Sequence, residues 1–290
     1  MFAPAPPGDP DLALLAEAAF GIDPGRAVAE LPPASDALGS WYRAVVLGGQ
    51  GRYAAARVEL RKVCNHSTDP VLLSLAGSTA GSLLRQLGWH ARAAAFDGRA
   101  AALILATDAA ATETTRKRSD DDGPDRHDAL CDALTGLAAD ALGVGRLALA
   151  DRLLRRSRAA TAPGEMGWRS ALRWHWVCAE TALIAGNSGP ATGHADAAME
   201  LAERAPSVRH RVKSRLLLAA AAAAGGEHDR SVSLAEEVAE QCREYRLLPL
   251  RWASAMLRAG LGVEGAAAEA AECAATIARR GGVFRPMGGR

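Results

Sequence analysis

A small-residue and glycine pattern returns along this chain at intervals long enough for two helices. In its first clear copy Ala44, Leu47, Gly51, Tyr53, Ala56 and Leu60 follow in order. The next copy places Gly81, Leu84, Gly88, His90, Ala93, Asp97 and Ala100 at the same spacing. Ala138, Ala141, Gly145, Leu147, Ala150 and Leu154 come next, then Ala179, Ala182, Gly186, Ser188, Ala191, Ala195 and Ala198. A fifth copy has Ala219, Ala222, Gly226, His228, Ser231, Ala235 and Val238, and a degraded sixth has Ala253, Met256 and Gly260.

Small side chains let two antiparallel helices approach, and the glycine reverses the chain between them. A single hairpin cannot cover its own apolar face, so successive hairpins must stack. Gly51 and Gly88 are 37 residues apart, and Gly186 and Gly226 are 40 apart, each enough for one helix pair with its connections. Alanine fills much of the 49% hydrophobic share while aromatics are only 4%. Alanine has the best helix propensity but buries little area, which favours close helix contact over a β-branched sheet. No stretch alternates in the manner of a strand.

The segment Trp41 to Pro70, WYRAVVLGGQGRYAAARVELRKVCNHSTDP, carries the pattern most completely: an early aromatic, the Ala44 and Leu47 pair, Gly51-Arg52-Tyr53, Ala56, Leu60 and a closing proline. It resembles the tetratricopeptide repeat (TPR) family, unevenly over about Ala37 to Arg280. The chain departs from that family at Val63, where a small residue is usual, at Asp97, where an apolar one is expected, and at the polar Ser231. The resemblance implies an all-α fold, a right-handed superhelical array of antiparallel helix pairs whose first helices line a concave face that receives a partner. Carried onto this chain, it points to Trp41, Ser78, Ser82, Arg85, Asp132, Thr135, Arg173, Trp176, Glu180 and Lys213. Arg173, Trp176 and Glu180 fall on one helical face and join an aromatic anchor to two opposite charges.

The organisation expected is a disordered tail over 1–8, capping helices over 9–36, the repeats over 37–280 and a C-terminal tail over 281–290. Asp9-Pro10 and Asp69-Pro70 combine a capping side chain with a proline suited to the first helical position, and Asp23-Pro24 repeats the signal. Between Gly88 and Gly145 the spacing rises to 57, and the charged stretch TETTRKRSDDDGPDRHD predicts an exposed loop at about 112–126.

A net charge of +1 gives no global attraction to nucleic acid or an anionic membrane. Two basic clusters, Arg152, Arg155 and Arg156 (with Arg158), and Arg209 and Arg211 within Arg204 to Arg215, would reach phosphates if they shared a face. The longest apolar run, Leu216 to Ala224, is too short to span a bilayer, and the first residues lack the basic flank and apolar core of a signal peptide. Five scattered cysteines suit reduced, mostly buried thiols and a cytoplasmic protein.

Chemistry leaves no signature. Cys64 with His66, His127 with Cys131 and His175 with Cys178 are each pairs, short of the four donors a structural zinc takes. Gly48-Gly49-Gln50-Gly51-Arg52 has no preceding strand and no following Lys-Ser/Thr, so it is a turn and not a phosphate loop. The expectation is a non-enzymatic protein-interaction scaffold without metal or cofactor, its partner another protein or a peptide segment. A self-associating structural repeat protein and a regulator that contacts nucleic acid through its arginine-rich helices are the alternatives. Trp168, Trp174 and Trp176 cannot share one helical face, so they must divide between neighbours or a ligand.

Overall fold

The computed structural model describes residues 9–108, 125–160 and 166–286; the expected tail at 1–8 and most of the loop at 112–126 lie outside them. Thirteen α-helices and no strand are found among the described residues. They are α1 (Pro10–Phe20), α2 (Ala37–Gly49), α3 (Tyr53–His66), α4 (Pro70–Arg85), α5 (His90–Asp108), α6 (Arg126–Gly143), α7 (Leu147–Ala159), α8 (Trp168–Ile184), α9 (Ser188–Arg204), α10 (Val208–Ala224), α11 (His228–Glu244), α12 (Leu248–Gly260) and α13 (Ala266–Arg279).

From α2 onward they form six antiparallel pairs, and α1 packs on α2. One turn is repeated six times between the partners of a pair. Gly51, Gly88, Gly145, Gly186, Gly226 and Gly262 all sit at φ between 72° and 82°. In each, the following N–H donates to a carbonyl five residues back, as Arg52 does to Leu47 and Asn187 to Ala182, which ends the helix in a Schellman turn. The sixth turn therefore falls on Gly262 and not on Gly260, the glycine the repeat spacing suggests, which remains inside α12. The small residues do what their spacing implies: Ala44, Ala56, Ala93, Ala138, Ala150, Ala179, Ala191, Ala195, Ala219 and Ala235 are fully buried between helices.

Asp9 and Asp69 accept N–H bonds from the first turns of α1 and α4, each with proline at the start. Asp23-Pro24 differs: it opens a turn held by the Arg26–Asp23 ion pair at 2.9 Å, and only a single 3-10 turn at Val28–Glu30 follows it before α2. Two departures from the repeat pattern have local reasons. Ser231 donates to the Ala219 carbonyl at 2.7 Å, so its hydroxyl is satisfied inside the hairpin, and Val63 fills the largest core cluster.

The array bends until it meets itself. The first helices of the pairs touch in sequence, α2 to α4 and on to α12, and α12 then touches α2. Val208 N–H donates to the Gly21 carbonyl at 3.1 Å, and the Gly51 turn lies against Leu248. After α13 the chain crosses to the first repeats as a strap. Ala54 N–H donates to the Arg280 carbonyl at 3.0 Å, Arg57 to that of Gly281 at 2.9 Å, Trp89 Nε1 to that of Val283 at 2.8 Å, and Arg285 N–H to that of Leu87 at 2.8 Å. Phe284 packs on Trp252 with ring centroids 4.5 Å apart. The stacked hairpins thus form a ring whose first helices face inward.

Candidate functional site on the inner face

Four of the six inner helices, α4, α6, α8 and α10, present polar residues at helical spacing. On α8 these are Arg169, Arg173, Trp176 and Glu180; on α6, Asp132 and Asp140; on α4, Ser78, Ser82 and Arg85; on α10, Arg209 and Lys213. Stacking of successive first helices brings the stripes together. Arg85 reaches Asp97 Oδ2 at 2.8 Å and Asp140 Oδ1 at 3.3 Å. Asp132 sits between Arg169 at 2.5 Å and Arg173 at 2.9 Å. Lys213 pairs with Glu180 at 2.8 Å and lies over the Trp176 ring at 5.8 Å.

Asp97 comes from the outer helix α5 yet is completely buried. It reaches the inner face because Gly81 and Gly136 flank its carboxyl: a Cβ on Gly81 would stand 2.5 Å from Oδ2, and one on Gly136 would stand 2.5 Å from Cγ. The departure from the repeat pattern at this position thus supplies the anchor that holds Arg85. Burial pushes the Asp97 carboxyl up to about 8, against the pull of Arg85 and with the push of Asp140.

Arg209 is the exception to the pairing. It crosses from α10 to lie over Gly49 of α2, donates weakly to the Val45 carbonyl at 3.4 Å, and has no carboxylate partner among the described residues. Burial first, then Arg173 and Arg169, lower its pKa to about 10. Beside it His210 is held neutral, its pKa driven well down by burial and then by Arg209, Arg169 and Arg173. The His210 ring stacks on Trp176 at 5.4 Å and meets the edge of Trp168 at 5.1 Å, while its Nδ1 is 2.7 Å from Ser207 Oγ. Four guanidinium groups, those of Arg85, Arg169, Arg173 and Arg209, therefore share three carboxylates. Ser78 Oγ and Arg209 Nε are buried with no hydrogen-bond partner among the described residues, whereas the Asp97 and Asp140 carboxyls interact with each other. Such atoms cost about 1–3 kcal/mol each when left unsatisfied.

The residues singled out from the sequence divide. Arg85, Asp132, Arg173, Glu180 and Lys213 belong to the charged network, and Ser78 and Ser82 lie on the same stripe as Arg85. Arg173 pairs with Asp132, and Glu180 with Lys213, so the two charges flanking Trp176 are not each other's partners. Trp176 donates to Ser214 Oγ at 2.9 Å and remains half-buried. Four residues are not available to a partner, Ser78 and Asp132 (each 2% exposed) together with Trp41 and Thr135. Trp41 is 1% exposed, bonded to Thr79 Oγ1 and packed against Phe20, because the end of α1 covers it. Thr135 meets Ser157 Oγ at 3.2 Å inside its own hairpin. Of the three tryptophans, Trp174 faces α7 and donates to the Leu154 carbonyl, whereas Trp168 and Trp176 face α10.

Arg169, Asp97 and Asp140 were not among the sequence candidates. Only Asp97 carried a signal, polarity at a position where the repeat should be apolar. The basic clusters do not share a face: Arg152, Arg155 and Arg156 are exposed on the outer helix α7, Arg209 points into the ring, and Arg211 bonds to the Ala205 carbonyl. The condition for a phosphate-binding stripe is thus unmet.

No three His, Cys, Asp or Glu side chains among the described residues converge as a metal site requires. No helix among them is long and apolar enough to cross a membrane. Cys64 is exposed and the other four cysteines are buried, all five as free thiols.

No family model matches the sequence, and no curated protein matches it either. Solved structures do match the fold. A crystal structure of a Rap protein complexed with competence and sporulation factor superposes with a TM-score of 0.63 at 10% identity, over 93% of this chain and 74% of that one. YrrB, a TPR protein with an unusual peptide-binding site, matches over 70% of this chain and 86% of its own at 17% identity, but its TM-score of 0.32 is too low to carry an argument. The chain has the TPR-like helical-repeat fold, an all-α stack of antiparallel helix pairs.

Proposed function

We propose that this chain is a non-catalytic binding protein that takes a peptide, or a segment of another protein, against the inner face of its ring. The observation that carries the reading is the inner network itself. Its charges are fixed by neighbouring helices before any ligand arrives, yet Arg85, Arg173, Trp176, Glu180, Arg209 and Lys213 keep part of their surface open, and Arg209 has no carboxylate partner among the described residues. Preorganised donors and acceptors with spare capacity are what a backbone or polar side chain can engage without an ordering penalty. The Rap protein of like fold, complexed with competence and sporulation factor, lends support. The excess of guanidinium over carboxylate around Arg209 favours a segment with acidic character. The five free thiols support a cytoplasmic setting.

A displayed library of natural protein fragments, panned on the full-length protein, tests this. Enriched fragments should lean acidic and lose binding to Arg209→Met and to Trp176→Ala, each verified as folded by circular dichroism. Fragments that bind both variants as well as they bind the unaltered protein would remove the inner face as the site.

A further inference from the structure

The outer side of the first two repeats carries a second, differently built surface. Between α3 and α5, with α4 as its floor, runs an apolar groove of about 870 Å³. The floor is shallow-sided because its residues are small where a groove needs depth: Ala76, Gly77 and Ala80 lie between Leu73 and Leu84. A Cβ on Gly77 would come within 3.3 Å of Ala100, so α5 sits as close to α4 as a glycine allows. Phe96 and Leu103 form part of the α5 wall, and Leu103 is 39% exposed. Among the described residues of the ring and strap nothing covers this floor, although the strap passes its edge where Arg57 holds the Gly281 carbonyl.

The rim settles what chemistry fits. Arg57 and Arg61 project from α3, and Arg92 and Arg99 from α5, all exposed and with no carboxylate partner among the described residues. No acidic residue lines the groove. The nearest acid on α3, Glu59, is buried and already engaged by Arg43 and Lys62 on the helix's other side. Arg92 and Arg99 lie over the rings of Trp89 and Phe96 at 4.4 and 4.7 Å, which holds their charge at the groove's edge instead of letting it sweep through solvent. An apolar trough between two rows of cations is complementary to a segment with apolar side chains on one face and carboxylates along its flanks.

We infer that the groove formed by α3, α4 and α5 is a second docking site, and that its occupant is an amphipathic, acidic-flanked segment of another protein. The site is separate from the inner face, because α4 turns Ser78, Ser82 and Arg85 inward and Leu73, Gly77, Ala80 and Leu84 outward. Occupation of the two could therefore be independent.

The double variant Arg61→Glu/Arg99→Glu, checked as folded by circular dichroism, provides the test, since both side chains are exposed. A random peptide library displayed on phage is panned on the full-length protein, and single clones are then measured against wild type, the double variant and Arg209→Met. The expected result is a class of clones, apolar with flanking Asp or Glu, that bind the double variant at least about tenfold more weakly and bind Arg209→Met normally. Clones of the inner face show the opposite sensitivity, so failure of one site is visible apart from the other. The inference is overturned if no clone distinguishes wild type from the double variant, or if those that do are basic. It is equally overturned if the protein forms a dimer that the double variant dissociates, for the occupant would then be a second copy of this chain.

Discussion

Gly136→Ala would ordinarily strengthen a helix by roughly 1 kcal/mol, since glycine is the poorer helix former. Here the sign should reverse. The new methyl would stand 2.5 Å from Asp97 Cγ, where an ordinary contact is 3.4–4 Å. The carboxyl has nowhere to go: Arg85 holds it at 2.8 Å, Gly81 bounds its other side, and it is fully buried. Overpacking of this kind costs about 1–3 kcal/mol. Displacing the carboxyl from Arg85 adds part of the roughly 1.5–3 kcal/mol that a hydrogen bond to a charged group is worth. After the helix gain is subtracted, a net loss of about 2–3 kcal/mol is expected. In an Asp97→Ala background the obstruction is gone, and the same Gly136→Ala change should stabilise by about 0.5–1 kcal/mol. Urea unfolding of the four proteins, followed by tryptophan fluorescence and far-ultraviolet circular dichroism, gives the coupling energy directly. If Gly136→Ala stabilises the wild type, or has the same sign in both backgrounds, the glycines do not exist to admit the Asp97 carboxyl and its role as anchor of Arg85 falls with them.

Three further outcomes are expected. Because the folded Asp97 carboxyl titrates near 8 and a free one near 3.8, the folded state holds a proton that the unfolded state has lost between these values. Stability should fall as pH rises through that window, by up to about one proton's slope, and urea midpoints of Asp97→Asn should show a flatter profile; an identical slope would count against it. Gly262→Ala should destabilise by about 1–2 kcal/mol at its φ of 79°, whereas Gly260→Ala, with open space around it in α12, should be neutral or stabilising. Thermal melts that rank the two the other way would misplace the sixth turn. Phe284→Ala removes the stack on Trp252 and should cost about 1–2 kcal/mol while speeding amide exchange at Ala54 and Arg285, whose N–H groups depend on the strap. Unchanged exchange at both would show that the strap is not held by this ring.

The repeat was readable because its causes are local. A glycine that must take positive φ and an alanine that must admit a neighbour each leave a mark within one hairpin, and Gly51, Gly88, Gly145, Gly186 and Gly226 were all legible in this way. Gly262 was not, because Gly260 two residues earlier satisfies the same spacing and only the hydrogen bond from Val263 to Arg258 distinguishes them. The inner site was legible in outline: the α8 stripe follows from helical periodicity, but its partners do not. Arg173 finds Asp132 and not Glu180 because α6 packs beside α8, a fact of stacking and not of spacing. Trp41 was placed on the concave face by its position in the repeat, and nothing in the repeat announced that Phe20 would cover it. Ring closure was least visible. Its bonds join residues 164 to 230 positions apart, such as Arg209 with Val45 and Arg280 with Gln50, and no pattern within one repeat encodes them.

The strap changes how the molecule can come apart. A linear stack of hairpins frays from either end, since a terminal unit has one neighbour and gives up only half of the contacts of an internal one. Here the α12–α13 pair is tied to α2, α3 and the α4–α5 turn, so neither terminus offers a unit with a single neighbour. Loss of any hairpin must open two interfaces, and melting should approach all-or-none behaviour where an open array of the same hairpins would peel away step by step.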